Sequence, residues 1–95
     1  MNYMDKLHVI AVTEISNIIL DRLDGYRNPD KEYVLTIYLE TINNYHSNYI
    51  IHRMRDFFIQ SLLLDVSNYI IKNCPDLIQL CKCCNELKDD YYKTS

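Results

Sequence analysis

Three of the four cysteines fall within four residues, in Leu80-Cys81-Lys82-Cys83-Cys84-Asn85-Glu86-Leu87, and Cys74 lies seven positions before the first of them. Thiolates ligate zinc, act as nucleophiles or cycle through disulfides, so the cluster is the first place to look for chemistry. A tetrahedral zinc needs four ligands converging at ~2.3 Å, commonly from two Cys-x-x-Cys knuckles. Only Cys81-x-x-Cys84 supplies half of that pattern, and His46 or His52 would have to complete it. On a helix Cys83 sits roughly 160° around from Cys81, and Cys74 lies about 10 Å away along the axis. One helix cannot bring the four sulfurs together. The spacing instead sets Cys81 and Cys84 on one apolar stripe with Leu77, Leu80 and Leu87, as small buried hydrophobes, with Cys83 directed elsewhere.

The remaining reactive side chains suggest no constellation. His8, His46 and His52 have no serine, cysteine or aspartate at informative spacing. Asp89-Asp90 reads as a solvated pair, and Arg53 and Arg55 as snorkelling residues on the polar side of a helix. A single glycine, Gly25, excludes a Gly-rich phosphate cradle. The sequence therefore yields no catalytic, cofactor-binding or metal residues, no cofactor and no small-molecule substrate. The expectation is a protein that is not an enzyme.

The elements that would carry these residues are helical. Met4, Leu7, Ala11, Ile15, Ile18 and Ile19 recur at steps of three and four, and Asp24-Gly25 marks a stop. Asn28-Pro29-Asp30 has helix-start chemistry, with Pro suited to the first helical position. A second stripe begins at Tyr33 or Val34 and runs through Ile37 toward Tyr38, although the Thr and Tyr content of 33–39 also allows a short strand. Ser47 suits the cap of a third helix with Ile50, Ile51, Met54, Phe57 and Phe58 inward. A fourth helix carries Leu62, Leu63, Val66, Tyr69 and Ile70, and ends where Cys74 precedes Pro75. Pro75-Asp76 opens a fifth through about Lys88. The fold class is mainly α: one small domain of four to five helices over 1–88, with 89–95 a frayed tail.

Composition sets the outer limits. Ninety-five residues, 48% hydrophobic and 24% charged, make one globular core and no second lobe. The net charge of −3 and scattered basic residues disfavour nucleic acid. The apolar run His8–Thr13 is too short for a membrane span and has no signal-peptide pattern around it, so an intracellular, cytoplasmic protein is expected, with the nucleus open. Ile, Asn and Tyr are abundant, while glycine occurs once and tryptophan not at all. Those preferences follow AT-rich codons, as in a viral or protist genome.

Three stretches resemble a BTB/POZ domain of the kelch-associated kind. His8-Val9-Ile10-Ala11-Val12-Thr13-Glu14-Ile15-Ser16 keeps that family's spacing from His to Ser in an early helix, with Ile18-Ile19 in place of its aromatic pair. Asp56-Phe57-Phe58-Ile59-Gln60-Ser61-Leu62 and Tyr69-Ile70-Ile71-Lys72-Asn73 are similar to its later turn and helix. Leu77–Leu87 resembles the start of the region that trails many such domains. The family's opening strand and hairpin are missing before His8, and its Tyr-Ile-Tyr-Thr-Gly signature is blurred into Ile37-Tyr38-Leu39-Glu40-Thr41. The resemblance implies dimerisation through the first helix and an adaptor or decoy role toward cullin-type ubiquitin ligases.

The residues point the same way without the family. Val9, Ile10 and Leu20 fall off the main stripe of the first helix and form a candidate interface for a protein partner or a second copy. A core-facing arc wide enough to take them in is the structural alternative. Two other functional readings stay open: a viral helical protein of unrelated fold that binds host proteins, and a cysteine-based metal or redox protein.

Overall fold

The computed structural model describes residues 3–49 and 55–94, with side chains for 6–45 and 59–91. Four helices account for nearly all of them: α1 (Tyr3–Arg22), α2 (Lys31–Tyr49), α3 (Arg55–Asn73) and α4 (Ile78–Thr94). Among the described residues there is no strand.

Local chemistry explains each boundary. Arg22 ends α1, and Gly25 then takes a positive φ of 89° that side chains with a Cβ rarely adopt. Asp30 caps α2: its carboxylate accepts the Tyr33 amide at 2.7 Å, satisfying one of the orphan donors of the first turn. Pro29 therefore stands just before the cap and not inside the helix. The Cys74 amide still reaches the Ile70 carbonyl at 2.8 Å, and Pro75, which has no amide hydrogen, stops α3 there.

Several expectations shift. Ser47 lies within α2 and not ahead of a helix, and the expected third and fourth helices merge in the described part into α3, because no Gly or Pro interrupts Arg55–Asn73. Ile50, Ile51 and Met54 lie outside the described residues. The stretch 33–39 is helix despite its β-prone residues: Val34, Ile37, Tyr38, Thr41 and Ile42 all lie buried, a face that only the 3.6-residue period produces. Beyond Lys88, α4 continues through the stretch expected as a tail, and Asp90 accepts from Lys31 at 2.9 Å.

The helices form two hairpins, α1–α2 and α3–α4, packed so that α1 lies against α3 and α2 against α4. The α2–α3 contact is slight, which places these two helices diagonally across the bundle. The core runs from Ala11, Ile15 and Ile19 through Val34, Tyr38 and Ile42 to Leu62, Leu63, Val66, Ile70, Leu80 and Leu87. At its centre the Tyr38 hydroxyl accepts a hydrogen bond from Ser67 at 3.2 Å and meets the Cys84 sulfur at 2.9 Å. All three side chains are fully buried. Ser16, also fully buried, has no partner for its hydroxyl.

Candidate protein interface

The cysteines resolve first. Leu80, Cys83, Cys84 and Leu87 are the buried face of α4, whereas Cys81 is only half-buried and Leu77 is exposed. The core-facing arc is rotated by about 40° from the stripe read in the sequence, which brings Cys83 inward and Cys81 to the edge. The expectation that Cys83 points away is thus corrected, while the geometric reason for separating it from Cys81 stands. The Cys83 thiol donates to the Pro29 carbonyl at 3.3 Å, and Cys81 donates to the Cys74 carbonyl at 3.2 Å. All four cysteines are free thiols.

Among the described residues no three Cys, His, Asp or Glu side chains are arranged to hold a metal ion. Burial pushes the Cys84 thiol up to about 12 and raises Cys83 and Cys81 as well. Such thiols stay protonated at neutral pH and are poor nucleophiles.

One pairing escaped the sequence reading. His8 Nε2 lies 2.6 Å from Asp65 Oδ2, joining α1 to α3 across 57 positions of sequence. No spacing rule could have found it. The side chain of His46 and all of His52 and Arg53 lie outside the described residues, as does the Arg55 side chain.

Of the stripe expected on α1, Ala11, Ile15 and Ile19 face the core, joined there by Val12, Ser16 and Leu23, whereas Leu7 is half-buried, Ile18 is exposed and the Met4 side chain lies outside the described residues. α1 is apolar nearly all round, so periodicity alone does not choose its inner side. The choice leaves Val9 and Ile10 about half exposed, at 51% and 49%, and Ile18 at 43%. Leu20, the third candidate interface residue, is half-buried and packs against the core.

A second surface with exposed apolar side chains lies where the two hairpin turns meet. The Pro29 carbonyl, in the α1–α2 turn, accepts hydrogen bonds from Gln79 (3.2 Å) and Cys83 of α4. Around this clamp opens a groove of about 1060 Å³ between residues 20–29 and 74–80. Leu23 and Leu80 line it as buried residues, and Tyr26, Leu77 and Ile78 stand exposed in it, Ile78 at 78%. Tyr26 is held by stacking against Tyr33, with ring centroids 4.9 Å apart and the Tyr33 hydroxyl donating to that of Tyr26 at 3.0 Å.

No described helix is long and apolar enough to cross a membrane. No protein-family model, curated protein or solved structure matches this chain.

Proposed function

We propose that the chain is a protein–protein interaction module that acts without catalysis and associates with a second copy through α1. The observation that carries this reading is the exposure of Val9 and Ile10, adjacent aliphatic residues on a helix whose other side already fills the core. Covering one aliphatic side chain fully is worth roughly 1.5–3 kcal/mol, and a two-fold interface counts each residue twice. Half-exposed residues give a fraction of that, enough to offset part of the association entropy and to favour a weak dimer. Leu20, already half-buried against its own core, contributes little to such a surface.

Native mass spectrometry of the wild type beside a Val9→Lys, Ile10→Lys double variant tests the reading. The expected result is a concentration-dependent dimer for the wild type and a folded monomer for the variant. A wild type that stays monomeric at high concentration overturns it.

The narrower form, an adaptor or decoy for cullin-type ubiquitin ligases, is supported by the BTB/POZ-like stretches around His8–Ser16 and Tyr69–Asn73. Nothing in the described residues corresponds to the opening strand and hairpin of that family. Mixing the purified chain with cullin amino-terminal regions tests this form separately, and absence of any complex removes it without touching the wider reading.

A further inference from the structure

The groove between the two turns lies apart from the exposed α1 pair and has a chemistry of its own. Its lining mixes polar and apolar side chains, and the aliphatic side chains of Leu77 and Ile78 are exposed in it, at 47% and 78%. Its charged lining is unbalanced: Asp21, Asp24 and Asp76 face a single cation, Arg27. Among the described residues none of these three carboxylates makes an ion pair. At about 1060 Å³ and open to solvent, the groove slightly exceeds the ~300–1,000 Å³ of small-molecule clefts and lacks their enclosure. A phosphate backbone would meet carboxylates there, and a second copy seated symmetrically on the groove would set its own Asp21, Asp24 and Asp76 against them.

We infer that this groove receives an amphipathic segment of a partner protein, one that presents aliphatic or aromatic side chains to Tyr26, Leu77 and Ile78 and a lysine or arginine to Asp21, Asp24 and Asp76. The apolar contacts supply affinity, and the carboxylates set orientation and reject acidic segments. The inference is independent of association through α1.

The test uses two labelled synthetic peptides with one apolar pattern, a leucine–lysine amphipathic helix and its leucine–glutamate counterpart, followed by fluorescence anisotropy on the full chain. The wild type is expected to bind the lysine peptide roughly tenfold or more tighter than the glutamate one. Ile78→Ser, at a residue too exposed to affect folding, should weaken binding about tenfold, and Asp24→Asn with Asp76→Asn should do the same. Glu32→Gln with Asp89→Asn makes the same change in net charge outside the groove and should leave affinity within about twofold. Amide shifts on titration should concentrate in 20–29 and 74–80. Equal loss in the two charge-matched variants, shifts centred elsewhere, or no binding of the lysine peptide would overturn the proposal. So would self-association of the wild type that Ile78→Ser abolishes, because the occupant would then be a second copy.

Discussion

Replacing Tyr38 by Phe removes one oxygen from the centre of the bundle. The ring is fully buried, and its hydroxyl sits between the Ser67 hydroxyl at 3.2 Å and the Cys84 sulfur at 2.9 Å. Phenylalanine keeps the ring packing, so the cost comes from the groups left behind. Ser67 loses its acceptor while remaining at zero exposure, which costs about 1–3 kcal/mol for a buried unsatisfied hydroxyl. Back-bonding of Ser67 to a carbonyl one turn earlier would pull the cost to the lower end of that range. Cys84, a weak donor and acceptor, adds little.

A chain of 95 residues has roughly 5–14 kcal/mol of stability in all, so a loss near 2 kcal/mol is large. In urea the midpoint should fall by roughly 1 M, at a slope of about 1–3 kcal/mol per molar. The decisive variant is Tyr38→Phe combined with Ser67→Ala. Removing both partners leaves no orphan, so the double variant should be at least about 1 kcal/mol more stable than the sum of the single losses predicts. Additivity within about 0.5 kcal/mol would refute the assignment of a central hydrogen-bonded network.

Two further outcomes follow from the same structure. Burial, the largest cause, raises Cys84 to about 12 and Tyr38 above its ordinary range, so the unfolded chain ionises before the folded one. The unfolded state then binds fewer protons, and stability should be level with respect to these groups below about pH 9 and fall above it, by up to about 1.4 kcal/mol per pH unit for each group. Urea midpoints measured from pH 7 to 11 check this, and a midpoint unchanged at pH 11 would contradict it. At Gly25 a Cβ would meet nothing within 4 Å, so the cost of Gly25→Ala lies in its φ of 89° alone. Thermal melts should show a loss of about 1 kcal/mol for Ala and less for Asn, which tolerates positive φ better.

The helices were legible because turn chemistry separates them: Asp24-Gly25, Asn28-Pro29-Asp30 and Cys74-Pro75 each mark a boundary that holds to within a few residues. What the sequence could not settle was rotation. In α1, Val9, Ile10, Val12, Ile15, Ile18, Ile19 and Leu20 cover almost every direction, and only packing against α2 and α3 selects the side with Ser16. In α4 the same ambiguity exchanged Cys83 for Cys81. Contacts between distant segments were beyond reach altogether. His8 with Asp65, Tyr38 with Cys84, and Pro29 with Gln79 depend on how the hairpins dock, which no local spacing encodes. The groove belongs to the same class, since Tyr26 and Ile78 are 52 positions apart and read singly as ordinary exposed residues.

The packing of one hairpin against the other has a thermodynamic consequence. Neither α1–α2 nor α3–α4 alone possesses both walls of the groove, and the Pro29 clamp exists only when the two have docked. Any occupant of the groove is therefore a ligand of the docked state and not of the separate hairpins. Its binding energy adds to global stability as RT ln(1 + [L]/Kd), roughly 2.7 kcal/mol at a hundredfold excess over Kd. A substitution that loosens the hairpin–hairpin contact far from the groove would weaken binding there without touching the ligand, by thinning the population that can receive it. In this chain, affinity at the turns and cohesion of the core are linked through a single docking equilibrium.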